Sequence, residues 1–415
     1  MQALTTFGRF SGSVLVARDG HAIVQAGYGQ ADVEWDIPSG PETEFRIGSM
    51  TKQFTAMAIL ILQDRGKLRL SDPICRYVPR CPPAWGPVTI QELLLHTAGI
   101  PDYTDVPGFE RTQSVPATPE QLVARFRDRP LRFRPGSRFE YSNAGYVLLG
   151  IIIERASGLS YERFLHDAIL APLGLTHTGV DHQALILPRR ARGYAREGAT
   201  LRNAPPIDPS VAYSAGALYS TVGDLLVWDE ALYAGHLVSR AALEEMFTAH
   251  HGPIGYGWAI DSLFGRRMAH HNGEISGFVS NIARFPDQHV LVVVLSNREG
   301  TAVDNITRDL AAIVFGERYE MPHERRIVTL TPATLDRYVG TYRITSDIRL
   351  SLRRDGDRLR GRLSGGDTTS FILAPESETH FTSDTPPVDL VFALDPDGRV
   401  HNVTVNGSFT GVPEH

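Results

Sequence analysis

The sequence predicts an α+β fold, in which one antiparallel sheet is packed with helices and is followed by a small all-β domain. Three observations support this prediction. Strand-like hairpins lie near the N-terminus and again after residue 280, helical periodicity fills most of the region between them, and short alternating segments begin near Thr331. Strands at both ends of a largely helical middle are typical of a single sheet whose strands come from distant parts of the chain.

Two hairpins define the expected sheet. Apolar β-type runs at Ser13–Ala17 and Ile23–Ala26 are separated by Asp19-Gly20, a dipeptide that favours a tight turn between antiparallel strands. Far downstream, similar runs at Ser280–Phe285 and Val290–Leu295 flank a second turn-like segment. We expect both hairpins to contribute strands to the same sheet.

Helical periodicity is clearest just after Gly48-Ser49. From there apolar residues recur at helical spacing until Gly66, which places Ser49 at the N-terminus of a predicted helix. The same spacing predicts further helices at Thr89–His96, Asn143–Ala156, Tyr161–Leu170, Val222–Tyr233 and Ala302–Phe315.

The C-terminal region has the texture of a separate β domain. Alternating segments pair across turn signals at 355–357 and 395–398, which predicts a small barrel or sandwich. Pro322 and mixed charges interrupt the helical pattern before it. We therefore expect a first domain at 1–317, a linker at 318–330 and a β domain at 331–415.

Composition excludes several classes of protein. The 415 residues are 42% hydrophobic and 21% charged, as in ordinary globular proteins, and the net charge of −6 gives no basic surface for nucleic acid. No apolar stretch approaches the roughly 20 residues that cross a bilayer. Because the N-terminal residues lack the pattern of a signal peptide, we expect a soluble protein that is either cytoplasmic or exported with its signal segment already removed.

Cysteine and histidine spacing gives no support for a metal site. Cys75 and Cys81 are too few for a Cys-rich zinc site, and neither His250-His251 nor His270-His271 has the partners at ligand spacing that a metal requires. We expect no metal and no other cofactor. The two cysteines fit either a short-loop disulfide, if the protein is exported, or two separate thiols, and we favour the thiols.

Ser49 and Lys52 form the strongest chemical pattern. Residues three apart on a helix share a face, so the Lys52 amine is expected beside the Ser49 hydroxyl. An alcohol needs a neighbouring base to act as a nucleophile, and a partly desolvated lysine at the positive end of a helix can serve as one. Taken alone, the pattern also fits an N-cap serine followed by an exposed lysine.

Two further motifs favour the catalytic interpretation. Tyr141-Ser142-Asn143 lies at a predicted helix start, and His271-Asn272-Gly273 precedes the second hairpin. With Ser49-x-x-Lys52, they make residues 10 to 315 resemble the family of class C β-lactamases, penicillin-binding DD-peptidases, serine esterases and D-aminopeptidases, whose marks are Ser-x-x-Lys, Tyr-x-Asn and Lys-Thr-Gly or His-x-Gly. This resemblance implies a β-lactamase/transpeptidase-like sheet flanked by helices. The segment Tyr338-Val-Gly-Thr-Tyr resembles the lipocalin-like β domains appended to some members.

The resemblance also assigns catalytic roles. Ser49 is expected to attack the scissile carbonyl, and Lys52 and Tyr141 to share its proton, with either of them as the general base. Stabilisation of the oxyanion is expected from the backbone N–H groups of Ser49 and Glu274. His96, which follows an apolar run, is predicted to be a hydrogen-bonded structural histidine.

The same resemblance assigns substrate-binding roles to Asn143, His271 and Gly273. The amide of Asn143 suits a substrate carbonyl and a contact with Lys52. His271 is expected where penicillin-recognising relatives have a lysine, and a histidine that is mostly neutral at pH 7 gives only a conditional charge for a substrate carboxylate. The His-x-Gly element therefore resembles the esterase and D-aminopeptidase branches more than the potent β-lactamases.

We accordingly expect a serine hydrolase that forms an acyl-enzyme at Ser49 and cleaves amide or ester bonds in short D-residue peptides or small esters. A penicillin-binding DD-carboxypeptidase or β-lactamase is an alternative. A transacylase or peptide cyclase is another, because an amine can resolve the same acyl-enzyme. A catalytically silent binding protein is the fourth. The sequence leaves the oligomeric state open.

Overall fold

The computed structural model describes residues 1–197, 200–345, 348–364, 370–384, 387–406 and 409–414. The chain forms two compact units. The larger unit contains most of the chain up to Glu320, and the smaller unit is formed mainly by the residues from Met321 onward. The boundary at 318–330 that the sequence suggests stays a prediction.

A six-stranded antiparallel sheet lies at the centre of the larger unit. Both predicted hairpins belong to it, and the first strand pairs with the last, Gly12 opposite Ser296. The sheet has the order β3-β4-β5-β6-β1-β2, with β1 Gly12–Arg18, β2 His21–Tyr28, β3 Ala259–Leu263, β4 Arg266–Ile275, β5 Phe278–Phe285 and β6 Val290–Ser296. The N-terminal strands thus complete a sheet whose other strands follow more than 200 residues later, as the pattern of distant hairpins predicts.

Helices fill the region between the two halves of the sheet. Three of them carry the candidate site: α1 Thr51–Asp64, α2 Asn143–Ser157 and α3 Pro209–Gly216. The longer remaining helices are Val222–Ala234, Arg240–Met246 and Val303–Phe315, and shorter ones are Gln2–Thr6, Ile90–Leu94, Phe109–Thr112, Pro119–Ala124, Tyr161–Leu165 and Ala171–Leu173. Small two- and three-stranded sheets join Gln30–Asp32 with Ile37–Pro38, Tyr194–Glu197 with Thr200–Asn203, and Phe45–Arg46 with Leu218–Ser220 and Gly179–Val180.

The two long helices α1 and α2 are central core elements. In α1 every residue from Thr51 to Leu62 is buried, and in α2 every residue from Ala144 to Ile153. A helix that is buried all round has no solvent face, so its apolar residues are not confined to one stripe. The N-terminus of each helix is therefore held deep inside the larger unit.

The structure corrects one sequence-based preference. Cys75 and Cys81 form a disulfide, with their Cα atoms 5.2 Å apart, so our preference for two thiols is wrong. The short helical turn Ile74–Arg76 folds the chain back and brings the two Cα atoms within the range that a disulfide can bridge. Sequence spacing alone does not reveal such a fold-back.

The smaller unit is a closed antiparallel barrel of eight strands, which confirms the barrel interpretation of the C-terminal segment. Its interior is packed with aromatic side chains, among them Tyr338, Phe381 and Phe392. The strands are β7 Gly340–Arg343, β8 Arg349–Asp355, β9 Arg358–Ser364, β10 Ser370–Pro375, β11 His380–Asp384, β12 Pro387–Leu394, β13 Val400–Val405 and β14 Phe409–Pro413, preceded by a short helix at Pro332–Asp336. None of the helices in the described parts of the chain has the length and apolar character needed to cross a bilayer.

Candidate active site

Ser49 lies in a short helical turn, Gly48–Met50, that leads directly into α1. Gly48 adopts φ 51°, a left-handed conformation that favours glycine. A Cβ at Gly48 would lie 2.8 Å from the backbone nitrogen of Glu274, so only glycine allows this turn to lie against strand β4. The turn thus places Ser49 between the start of α1 and the end of β4.

The Lys52 amine is fully buried and is surrounded by three oxygen atoms. Its Nζ lies 3.0 Å from Ser49 Oγ, 2.9 Å from Asn143 Oδ1 and 2.8 Å from the carbonyl oxygen of Ala215. A buried ammonium is costly unless each of its donors has a partner, and these three contacts supply one for each. The predicted neighbourhood of Ser49 and Lys52 is therefore present in the structure.

Burial lowers the pKa of Lys52 to about 7, while the negative charge of Asp102 opposes the change. A large fraction of the amine is therefore neutral near physiological pH. The carbonyl oxygens of Asn143 and Ala215 accept hydrogen bonds but do not donate them, so they take two N–H groups of Lys52 in either protonation state. The third position of the nitrogen faces Ser49 and holds either a proton or the lone pair.

Tyr141 is the second titratable neighbour of Ser49. Its side chain hydrogen-bonds the Ser49 hydroxyl, and desolvation raises the pKa of the phenol above its usual value. The residue as a whole is 41% exposed, although its hydroxyl is desolvated and hydrogen-bonded to Ser49. Lys52 Nζ lies 4.9 Å from the ring centroid. Tyr141 thus keeps its proton at neutral pH, when Lys52 is already losing its own.

Asn143 is the first residue of α2, and both its backbone and its side chain are held. Its N–H donates to the buried carboxylate of Asp102, and its Oδ1 accepts from Lys52. Ser142 caps the same helix by accepting from the N–H of Gly145. The helix start therefore fixes the amide of Asn143 beside the amine.

His96 lies beneath Tyr141, as a buried ring with a defined tautomer. The Ser142 N–H donates to Nδ1 of His96 at 3.1 Å, and the imidazole stacks on Tyr141 at 4.5 Å and on Tyr146 at 5.0 Å. Burial and the Lys52 charge hold the pKa of His96 well below its usual range. The ring is neutral with its proton on Nε2, in keeping with the hydrogen-bonded structural histidine that the sequence predicts.

His271 lies on β4, with its ring centroid 6.5 Å from that of Tyr141. Desolvation and the Lys52 charge lower the pKa of His271 to about 3. Its Nδ1 hydrogen-bonds the carbonyl of Asn272, which only accepts, so Nε2 carries the lone pair. His271 is therefore a neutral acceptor at physiological pH.

Strained backbone in α3 directs the Ala215 carbonyl toward Lys52. Tyr213, two residues earlier, interrupts this helix with φ 41° and ψ −133°, a conformation that non-glycine residues rarely adopt. The neighbouring Ser214 is tied on both sides, since its carbonyl accepts from Thr55 Oγ1 and its hydroxyl donates to the Tyr146 carbonyl. These bonds offset the strain and hold the segment in place.

Strand β4 approaches the turn before Ser49 very closely. A Cβ at Gly273 would lie 2.0 Å from the Ile47 carbonyl oxygen, and that same oxygen accepts from Ser280 Oγ at 2.9 Å. The glycines at 48 and 273 thus let two backbones meet beside Ser49. The backbone of Glu274, at the end of this contact, lies next to the nucleophile turn.

A cleft of about 220 Å³ opens beside Ser49. Its lining is mainly apolar and includes Ser49 and Asn143. Its polar lining residues also include Gln113 and Glu274. The apolar wall residues are Phe109, Ile207, Val211, Ala212 and Ile275. Neither Tyr141 nor His271 lines this cleft, so those two groups face a different part of the site.

The structure brings all seven sequence-predicted site residues into one region of the larger unit. It adds three features that motif reasoning missed, namely the Asp102 carboxylate, the Ala215 carbonyl and the strained Tyr213. Nothing in the sequence around Ala215 indicates that a backbone oxygen there binds Lys52. Within the described residues, no group of three His, Cys, Asp or Glu side chains is placed to hold a metal ion.

Comparison with known proteins identifies the family of the chain. Residues 2–316 match the Beta-lactamase family, and residues 324–413 match a domain of unknown function, DUF3471. Penicillin-binding protein 4* of Bacillus subtilis (strain 168) is 29% identical over 416 residues, which cover 94% of this chain and 91% of that protein.

Solved structures show the same likeness. The octameric penicillin-binding protein homologue from Pyrococcus abyssi superposes with a TM-score of 0.71 at 28% identity, covering 99% of this chain and 97% of that one. A D-stereospecific amidohydrolase from Streptomyces sp. gives a TM-score of 0.65 at 28% identity, covering 76% of this chain and 98% of that chain. The chain therefore belongs to the Beta-lactamase family and is a serine hydrolase of the β-lactamase and penicillin-binding protein superfamily.

Proposed function

We propose that this protein hydrolyses amide or ester bonds of small substrates through an acyl-enzyme at Ser49, with Lys52 as the general base. One observation carries the proposal. The buried Lys52 amine has two of its positions taken by carbonyl oxygens and the third directed at Ser49 Oγ, and its pKa lies at about 7. A base with this pKa matches neutral conditions well.

Acylation then proceeds with a defined proton path. Neutral Lys52 takes the Ser49 proton while Oγ forms a bond to the substrate carbonyl carbon. The C–N or C–O bond to the leaving group breaks, and the leaving group takes the phenolic proton of Tyr141. The Lys52 ammonium returns a proton to the tyrosinate, which restores both groups. Because burial raises its pKa, Tyr141 is protonated at neutral pH and has a proton to give in this step.

Water completes the cycle by the reverse path. It attacks the acyl carbonyl and gives a proton to Tyr141, whose own proton passes to neutral Lys52. The Lys52 ammonium then protonates Ser49 Oγ as its bond to the acyl carbon breaks. In both steps the developing oxyanion would accept from the backbone N–H groups of Ser49 and Glu274. The close approach of β4 to the Ser49 turn, made possible by Gly48 and Gly273, supports this pairing.

The substrate side of the proposal follows from charge and shape. His271 presents a neutral acceptor where a cation would be needed for a substrate carboxylate, so an N–H donor fits better there. The mainly apolar cleft beside Asn143 suits the side chain of the acyl group, because the leaving-group acid Tyr141 does not line it. Glu274, one of the lining residues, disfavours anionic acyl groups. We therefore propose short D-residue peptides, their amides, or small esters without a free carboxylate near the scissile bond.

A penicillin-binding DD-peptidase or β-lactamase is the second candidate. The likeness to penicillin-binding protein 4* favours it, since that protein matches over most of its length. The two candidates differ in what they require at His271. A DD-peptidase substrate carries a carboxylate next to the scissile bond, which a neutral histidine does not stabilise.

Intact-protein mass spectrometry tests the proposal. Wild type and Ser49→Ala are incubated with a fluorophosphonate, a penicillin, a p-nitrophenyl ester and a D-alanyl peptide amide, while product release is followed in parallel. We expect a fluorophosphonate adduct on wild type alone, fast release from ester or amide, and little turnover of penicillin.

Other outcomes have clear meanings. Rapid penicillin turnover would identify a β-lactamase, and a stable penicillin adduct with release of a terminal D-residue would identify a DD-peptidase. Product formed only with an added amine would identify a transacylase. Equal labelling of Ser49→Ala and wild type, or no labelling of wild type, would refute the Ser49 mechanism. The silent binding protein would then be the favoured hypothesis.

A further inference from the structure

The buried carboxylate of Asp102 takes part in none of the steps above, yet it lies directly behind the site. It is 5% exposed and accepts three hydrogen bonds. Oδ2 accepts from the backbone N–H of Asn143, and Oδ1 accepts from the N–H and the hydroxyl of Thr104, both at 2.9 Å. A buried carboxylate requires such partners, and the N-terminus of α2 adds a favourable dipole.

Asn143 connects this carboxylate to the candidate base. Its N–H donates to Asp102, and its side-chain oxygen accepts from Lys52 Nζ at 2.9 Å. One residue is therefore held from behind by Asp102 while it holds the amine in front. The separate cap from Ser142 to the N–H of Gly145 shows that α2 has its N-cap without the carboxylate.

The charge of Asp102 acts on Lys52 in the direction opposite to burial. Burial lowers the Lys52 pKa, and Asp102 raises it. Among the described residues, the titratable rings close to the amine are uncharged near neutral pH. Burial raises the pKa of both Tyr141 and Tyr146, and it lowers the pKa of both His96 and His271.

We propose that Asp102 is a positioning residue that holds Asn143 against Lys52 and, through its negative charge, sets the pH range in which Lys52 accepts the Ser49 proton. The proposal rests on the roles of Ser49 and Lys52 proposed above. It assigns to Asp102 no contact with substrate. Without this charge the desolvated amine would lose its proton at lower pH, since an ammonium is stabilised by a nearby carboxylate.

The test is the pH dependence of fluorophosphonate inactivation, which reports the reactivity of Ser49 without requiring the true substrate. In wild type, the inactivation rate constant rises with pH as Lys52 deprotonates. In Asp102→Asn we expect the midpoint of this rise to move to lower pH by about one unit. Asp102→Ser removes the same charge and keeps an oxygen near the Asn143 N–H, so it serves if the asparagine variant folds poorly.

Two controls separate charge from structure. Asp102→Glu keeps the charge but displaces the carboxylate. The inactivation rate constant at high pH should therefore fall, while the midpoint of its rise stays at the wild-type pH. Asp128→Asn makes the same chemical change at a carboxylate that is 89% exposed, and it should leave the whole profile unchanged.

Failure takes distinguishable forms. If wild type is labelled at Ser49 but neither charge-removing variant shifts the midpoint downward, the role of Asp102 is wrong and the Ser49 mechanism stands. An equal shift in Asp102→Glu would also refute the role of the charge. If wild type is not labelled, both the proposed function and this inference are wrong.

Discussion

Lys52 meets two demands that conflict in water, since the same amine must accept a proton and yet be held by hydrogen bonds. Burial makes it a base by lowering its pKa to about 7, and two carbonyl oxygens hold it by accepting from its N–H groups. Because those oxygens cannot donate, protonation changes only the contact with Ser49. The site therefore needs no rearrangement when the proton moves.

The first prediction concerns this titration. Activity requires the neutral amine, so kcat/KM should be highest above the Lys52 pKa and fall as the pH drops through about 7. Lys52→Arg keeps a cation that does not deprotonate, and we expect it to lower kcat/KM by about 10²- to 10⁴-fold at every pH. The measurement is kcat/KM for an ester between pH 5 and 9. A profile with no limb near pH 7 that is still rising at pH 9 would point to Tyr141 as the base instead, since burial raises the pKa of its phenol.

The second prediction concerns the third motif. His271→Lys places a permanent cation where the wild type has a neutral acceptor. The ratio of kcat/KM for a substrate with a free carboxylate to that for its amide should rise about tenfold, as one charge pair of about 1.4 kcal/mol implies. His271→Gln, which stays neutral, is the matched control. Equal ratios in all three proteins would show that this position does not sense substrate charge.

At the residue scale, the sequence predicts the functional residues that belong to a recognisable motif. Ser49 and Lys52 share a helix face by spacing alone, and Tyr141 with Asn143 follows from the resemblance. The role of Asp102 could not be predicted, because it depends on a contact with a residue 41 positions away and a buried aspartate has no local sequence signature. The contact of the Ala215 oxygen with Lys52 could not be predicted either, because every residue has a backbone carbonyl and the sequence does not distinguish this one.

At the scale of elements, the packing of α2 against α3 decides where the Ala215 carbonyl points. Gly150, in the middle of α2, faces the strained segment of α3. A Cβ there would lie 2.2 Å from Ser214 Oγ and 2.5 Å from the Tyr213 ring. The absence of a side chain at Gly150 therefore leaves the space that Tyr213 and Ser214 occupy.

The third prediction follows from this contact. Gly150→Ala should lower the free energy of unfolding by about 1–3 kcal/mol, since the added methyl forces the two helices apart, and it should slow Ser49 labelling by displacing Ala215. Gly145→Ala on the same helix is the control, because its Cβ meets nothing closer than 3.5 Å. Denaturant unfolding and labelling rates check both variants. Equal effects of the two substitutions would refute the packing argument.

Elements with strong periodicity were predictable, and those set by tertiary contacts were not. The turn at Asp19-Gly20 and the apolar runs beside it predict β1 and β2 because strand alternation and turn chemistry agree. The long helix α2 follows from its continuous apolar run. The break at Tyr213 does not, since only the bonds around Ser214 make that conformation stable.

At the scale of the whole molecule, the described residues form two separate apolar clusters. One includes α1, α2 and residues of the six-stranded sheet, and the other lies inside the eight-stranded barrel. The segment between Phe315 and Pro332 contains no helix or strand. Its side chains include the exposed Met321 and Ile327.

The fourth prediction uses this segment to test the proposed boundary at 318–330. Brief digestion with trypsin should cut first near Arg318 or Arg326, because proteases require an extended, accessible backbone. Mass spectrometry should then show two fragments, with a fluorophosphonate adduct on the N-terminal one. Initial cuts within 1–317 instead would place the accessible segment elsewhere and overturn the division.

The disulfide between Cys75 and Cys81 links the larger unit to the redox state of its surroundings. It closes a short loop, with a sequence separation of 6, and loop closure of this length contributes about 2 kcal/mol. In a compartment with a glutathione-poised thiol pool, the bond is exposed to exchange, whereas outside such a pool it persists. The heat resistance of this hydrolase therefore depends on the electron donors around it as well as on its packing.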